Sequence, residues 1–153
     1  MIKEGDNAIN FNMPIDDENF VTLESFPDNN IVLYFYPKDD TPGCTREAID
    51  FTAHINAFEE CKTTIIGVSA DSTAKHKKFI EKHNLEVILA SDEDKKVCED
   101  YGVWIEKSMY GKKFMGIERA TILIDKNRKI SKIWRKVNVT GHVEEVLEAA
   151  QKI

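Results

Sequence analysis

Ile31–Tyr36 is an unbroken apolar and aromatic run, IVLYFY, between Asn30 and Pro37. A run with no polar position inside it predicts a strand buried on both faces of a sheet. TTIIGVSA (Thr63–Ala70) and EVILAS (Glu86–Ser91) repeat the pattern and predict two more strands. Between the first two runs the period changes. Ala48, Phe51, Ile55 and Phe58 recur at steps of three and four, which predicts a helix; if it is unbroken it runs from Cys44 to near Cys61. DSTAKHKKFIEKHN predicts a second helix opened by Asp71, Ser72 or Thr73, and DEDKKVCEDYG a short one closed by Gly102. Upstream, Phe11–Met13 and Phe20–Leu23 predict short strands around the turn-forming PIDDEN. Downstream, RATILID and RKISKIW, joined at DKNR, predict an antiparallel hairpin. Val143, Val146, Leu147 and Ala150 then share one face of a final amphipathic helix. Strands alternating with helices, followed by a hairpin and a last helix, give an α/β fold with a mixed sheet.

Composition narrows the class. The 153 residues suffice for one domain with a sizeable core. No repeat, low-complexity tract or linker marks a boundary, so residues 1–153 are read as a single domain. A net charge of −6 leaves no domain-wide basic field for nucleic acid. The local basic cluster Lys126–Lys136 is read as the solvated face of a strand pair. The N-terminus carries no apolar leader and no apolar run is long enough to span a bilayer, which predicts a cytoplasmic protein with no membrane partner. Three cysteines, Cys44, Cys61 and Cys98, are an odd number with no zinc spacing among them. Neither a metal nor a disulfide framework is expected.

The chemistry converges on Cys44. Only a thiolate is a good nucleophile, and a first-turn position on the predicted helix offers unpaired N–H groups and the positive end of the helix dipole. Thr41, three residues upstream, could donate its hydroxyl to the sulfur or accept from it. Pro37 ends the strand and could shield the sulfur from water, and Pro42 and Gly43 suit a tight strand-to-helix turn. On these residues alone, Cys44 is equally a reactive thiol or a structural cysteine that follows a turn. Two other chemistries fail at the letters. A Cys-x-x-Cys oxidoreductase needs a cysteine where Glu47 stands, and a Cys-x5-Arg phosphatase needs an arginine where Asp50 stands. A cysteine hydrolase needs a histidine base, yet His54, His76, His83 and His142 all read as surface residues of polar helices.

YPKDDTPGCT matches the Pro-x-x-x-Thr-x-x-Cys motif of the peroxiredoxins, with Pro37, Thr41 and Cys44 in place. The resemblance continues through IIGVSADS, LASDEDKKVCEDYGVW, GIERATILID and KISKIW, and so covers nearly the whole chain. The chain resembles the bacterioferritin comigratory protein / peroxiredoxin Q subfamily. That resemblance implies a thioredoxin-like fold, with a mixed central sheet flanked by helices and an N-terminal strand extension. It implies thiol-dependent reduction of hydrogen peroxide and organic hydroperoxides through a Cys44 thiolate and sulfenic acid. Arg119 is implied as the distal arginine of the active site; without the resemblance it reads as a surface residue at a strand edge. The implied reductant is thioredoxin, glutaredoxin or a small thiol, with no bound cofactor, and the implied state is a monomer or weak dimer.

One departure matters. Many members of the subfamily place a resolving cysteine five residues after the peroxidatic one, and here that position is Ile49. Others carry it in the next helix, and STAKHKKFIEKH has none. Along an unbroken helix Cys61 would stand roughly 25 Å from Cys44, far beyond the about 7 Å a disulfide tolerates between Cα atoms. The expectation is a one-cysteine cycle completed by an external thiol, with Cys98 as the fallback resolver. The rival readings are a general thiol–disulfide oxidoreductase and a redox-responsive binding or holdase protein.

Overall fold

The computed structural model describes residues 1–153. β1 (Asn12–Pro14) and β2 (Phe20–Thr22) form a short antiparallel pair, and one 3-10 turn, Leu23–Ser25, leads to β3 (Asn30–Phe35). α1 (Pro42–Ala53), α2 (Ile55–Glu60), β4 (Thr63–Ser69), α3 (Thr73–His83), β5 (Ile88–Ser91) and α4 (Lys96–Asp100) follow. The chain then makes β6 (Trp104–Met109), β7 (Lys112–Ile117), β8 (Ala120–Ile124), β9 (Ile130–Trp134) and α5 (His142–Gln151). No helix is long and apolar enough to cross a membrane.

The central sheet has the order β5-β4-β3-β8-β9. β3 runs parallel to β4, and β4 to β5, while β8 is antiparallel to β3 and β9 to β8. β3 lies in the middle and every one of its residues is buried, as its continuous apolar run requires. Side chains alternate across a strand, so β3 builds two cores. Ile31, Leu33 and Phe35 point into one with Cys98, Tyr101 and Ile122. Val32, Tyr34 and Tyr36 point into the other with Cys44, Phe51, Phe58 and Phe79. Gly67 on β4 makes room for this second core: a Cβ there would stand 2.6 Å from the Tyr34 ring.

The expected unbroken helix is in fact two. His54 leaves helical geometry at φ −104°, ψ 10°, and its ring Nδ1 donates to the Asp50 carbonyl at 2.9 Å. The ring thereby takes the acceptor that an uninterrupted helix would offer to the His54 backbone N–H. The break returns Phe58 to the core and delivers Cys61 to the start of β4. The β6–β7 hairpin was not anticipated at all. Its strands are mostly exposed, and their apolar residues include the exposed Met109, Phe114 and Met115, so no period of buried apolar positions announces them. Its turn residues, Tyr110 and Gly111, both take positive φ, the geometry of a tight hairpin turn.

Candidate active site

Register explains how the site assembles. Phe35, the last residue of β3, pairs with Ala120, the first of β8. The residue before Ala120 is Arg119, so the arginine emerges beside the end of β3. From that end the chain passes through Pro37–Thr41 into α1, whose third residue is Cys44. Pro42 occupies the first helical position, where a missing N–H costs nothing, and Thr41 O accepts the Thr45 N–H at 2.9 Å to begin the helix. Arg119 Nη2 donates to Cys44 Sγ at 3.3 Å. Gly43 permits the approach, because a Cβ at that position would lie 3.1 Å from Nη2.

Glu47 completes the arrangement. It is three residues beyond Cys44, on the same face of α1, and its Oε1 accepts from Arg119 Nη1 at 2.7 Å. Both terminal nitrogens of the guanidinium are therefore assigned, Nη1 to the carboxylate and Nη2 to the sulfur. Burial pushes the Glu47 carboxyl up to about 7 against the pull of Arg119. Burial also works against the Arg119 charge, but Glu47 and Cys44 more than offset it and hold the guanidinium above its ordinary value. Under the pair, Tyr34 stacks on Phe51 with ring centroids 4.6 Å apart. The Tyr34 hydroxyl and Glu47 Oε2 are both buried with no hydrogen-bond partner.

Of the residues singled out from sequence, Cys44 and Arg119 are in direct contact. Pro37 lies half-buried in the loop that follows β3. Thr41 is in that loop as well, but its hydroxyl donates to Lys38 O at 2.9 Å and not to the sulfur. With its proton committed, the Thr41 oxygen can act toward a substrate only as an acceptor. The reading of all four histidines as surface residues fails for two of them. His76 and His142 are buried, because α3 and α5 turn those positions toward the sheet. His142 Nε2 lies 2.8 Å from Thr121 Oγ1, and burial, then the Arg119 charge, lowers its pKa to about 4.

Sequence reasoning missed the roles of Glu47 and Lys107, and read Gly43 only as a turn residue. Glu47 had a usable signal, its helical spacing from Cys44. Lys107 had none, since it lies on the unanticipated β6; its Nζ donates to Ile117 O. Burial and the Arg119 charge lower its pKa, and the Cys44 sulfur opposes them.

The remaining cysteines stand elsewhere. Asn30 N–H donates to Lys62 O at 2.9 Å, so Cys61 sits at the N-terminal end of β3. Cys44 lies beyond the C-terminal end, a strand's length away, roughly 17 Å at about 3.3 Å per residue. Cys98 lies in the opposite core, with the sheet between it and Cys44.

A family model described as the AhpC/TSA family matches residues 4–133. The chain belongs to the AhpC/TSA family. Among similar proteins, the peroxiredoxin Bcp of Bacillus subtilis is 48% identical over 147 residues, which is 96% of this chain and 94% of the relative. A putative peroxiredoxin bcp of Coxiella burnetii is 44% identical over 146 residues, 95% of this chain and 97% of the relative. A solved mutant of Xylella fastidiosa PrxQ superposes with a TM-score of 0.93 at 36% identity, covering 99% of this chain and 97% of its own. The bacterioferritin comigratory protein of Xanthomonas campestris, studied for its alkyl peroxide reduction activity, has a TM-score of 0.87 at 39% identity, covering 93% of this chain and 90% of its own. The mixed sheet flanked by helices is thus the thioredoxin-like architecture of the peroxiredoxins. The chain is a thiol-dependent peroxidase of the Bcp/PrxQ type, as its motifs implied.

Proposed function

We propose that this peroxidase reduces hydrogen peroxide and organic hydroperoxides at Cys44, with Arg119, Thr41 and Pro37 forming the substrate pocket. The observation that carries the reading is the 3.3 Å contact from Arg119 Nη2 to Cys44 Sγ, with Glu47 holding the other guanidinium nitrogen. The hydroperoxide docks beside the sulfur and the guanidinium, within reach of both, and its O–H donates to the Thr41 oxygen. The Cys44 thiolate attacks the hydroxyl oxygen, an S–O bond forms, and the O–O bond breaks. The departing oxygen leaves with the bonding pair and takes a proton, giving water or an alcohol, while Cys44 becomes the sulfenic acid. Negative charge grows on that oxygen during the step, and Arg119 together with the first-turn N–H groups of α1 are donors preset to receive it. Pro37 walls the pocket at the end of β3. Regeneration follows a one-cysteine course. A reductant thiol attacks the sulfenic acid, expelling water and leaving a mixed disulfide, and a second thiol frees Cys44. The end-to-end placement of Cys61 and the sheet in front of Cys98 support an external thiol over either internal one. Thioredoxin, glutaredoxin or a small thiol serves as the reductant, in a single-domain, cytoplasmic monomer or weak dimer that uses no cofactor.

Intact-mass and peptide mapping after sub-stoichiometric peroxide tests this reading. The expected result is one oxygen added at Cys44, trapped by a sulfenic-acid reagent. A prompt intramolecular disulfide from Cys44 to Cys61 or Cys98 would refute the one-cysteine course, and first oxidation at another cysteine would refute the assignment of Cys44.

A further inference from the structure

His76 is fully buried on α3 with both ring nitrogens engaged. Nδ1 lies 2.6 Å from Asp39 Oδ2 and Nε2 lies 3.0 Å from the Ala90 carbonyl oxygen. The ring is thus pinned at both ends, to the loop through Asp39 and to β5 through Ala90. Asp39 belongs to the loop between Pro37 and Thr41. Its Oδ1 accepts the Tyr36 hydroxyl at 2.5 Å, and its N–H donates to Asp71 Oδ2 at 2.8 Å. The next residue, Asp40, is held at φ +61° and takes Lys82 Nζ at 2.7 Å and His83 Nε2 at 2.9 Å. α3 therefore grips the loop at two adjacent residues. The outer grip is exposed, where ion pairs contribute little. The inner one is dry: the His76 and Asp39 side chains are only 0% and 6% exposed, and breaking it would leave a buried polar group without its partner.

We propose that His76 is a positioning residue for peroxide reduction: through Asp39 it holds the Lys38–Thr41 loop, and with it the first turn of α1, in the geometry that sets Cys44 against Arg119. The proposal rests on the reading of Cys44 as the nucleophile. The connection is short. The Lys38 carbonyl accepts the Thr41 hydroxyl, and the Thr41 carbonyl accepts the first helical N–H of α1. A loop released from α3 loses both constraints. Cys44 is only 2% exposed, so loop geometry decides whether its sulfur sits in the pocket or meets bulk solvent.

Two amides separate the two bonds of the ring. In His76→Asn the side-chain amide occupies the place of Nδ1 and keeps the bond to Asp39. In His76→Gln it occupies the place of Nε2 and keeps only Ala90. Two rates are read on each reduced protein: oxidation of Cys44 by hydrogen peroxide in a single turnover, and alkylation of Cys44 by iodoacetamide. For His76→Gln the expected result is opposite movement, oxidation about ten- to a hundredfold slower from misplacement and alkylation faster. His76→Asn should stay close to the unsubstituted protein in both. Asp39→Ala, which removes the carboxylate and leaves α3 intact, should reproduce the His76→Gln pattern and stands in should that variant not fold. Equal behaviour of the Asn and Gln variants would overturn the proposal. So would unchanged rates, or a fall in both, in His76→Gln or Asp39→Ala. Peptide mapping of the same unsubstituted samples keeps this failure distinct from failure of the Cys44 assignment, which would show as oxidation of a different cysteine.

Discussion

Cys44 and Cys98 are buried almost equally, at 2% and 0% exposure, one in each core of the same sheet. The Cys98 core is mostly aliphatic, and its large polar group, the Tyr101 hydroxyl, donates to the Ile9 carbonyl at 2.7 Å. Burial drives the Cys98 thiol far above its ordinary range, and the neighbouring Asp92 adds to the effect. The Cys44 core is aromatic, and where Cys98 has only carboxylates nearby, Asp92 foremost, Cys44 has Glu47 and the Arg119 guanidinium beside the sulfur, with His142 close to Arg119. Burial alone makes a thiol inert. What separates the two sulfurs is a cation held at 3.3 Å from one of them. Exclusion of water strengthens any electrostatic contact made there.

The comparison breaks most visibly at the thiols. Cys44→Ser is expected to abolish peroxide turnover, while Cys98→Ser and Cys61→Ser each keep the first peroxide oxidation near the unsubstituted rate, read by stopped-flow fluorescence and mass. Fast oxidation of the Cys44→Ser protein would erase the distinction between the cores.

Changing the cation is the next largest effect. Arg119→Lys preserves charge but not the plane of donors shared between Glu47 and the sulfur. Its second-order rate with peroxide should fall by about one to three powers of ten, the scale of losing a preorganised donor. An unchanged rate in the folded variant would remove Arg119 from the chemistry.

His142 sharpens the contrast through pH. Its pKa falls from 6.5 in the unfolded chain to about 4 in the fold, so between these values the unfolded chain binds the proton and the folded one does not. Stability from this group is complete above pH 6.5 and is lost as pH falls toward 4, on the order of 3 kcal/mol in total. Glu47 works in the opposite sense. Its folded pKa of about 7 against 4.5 unfolded makes the fold favour the proton, so its contribution declines as pH rises from 4.5 to 7. Comparing His142→Gln with the unsubstituted protein cancels Glu47. Denaturant titrations should show their stability difference changing between pH 6.5 and 4, and a constant difference would show that His142 is not held neutral.

The smallest expected effect is Gly43→Ala. A Cβ at 3.1 Å from Arg119 Nη2 obliges the guanidinium to move a few tenths of an ångström. The peroxide rate should drop by about three- to tenfold with little change in melting temperature. Full activity would mean that the contact tolerates displacement.

Much of this was legible in the letters, for identifiable reasons. β3, β4, β5 and β8 have apolar runs because both faces of their sheet are covered there, and burial writes itself into sequence. The order Pro37, Thr41, Cys44 is local, so the loop and the first turn of α1 could be read directly. The β6–β7 hairpin could not, because an exposed two-stranded ribbon needs no apolar period, and Lys107 was lost with it. The break at His54 was hidden as well, since a side chain competing for the Asp50 carbonyl leaves no mark in periodicity.

The sequence by itself determined the family, the α/β class and the cysteine most worth testing, through local patterns within a few residues of one another. Only the tertiary structure decided which charges meet. Arg119 is 75 residues from Cys44 in the chain and reaches it because Phe35 pairs with Ala120. His76 reaches Asp39 across 37 residues because α3 packs beside the loop. Cys98 and Cys61, equal candidates by composition, are parted from Cys44 by a sheet and by a strand's length. Pair energies depend on distance and on the water between charges, and both are set by strand register and helix placement, which no short stretch of sequence contains.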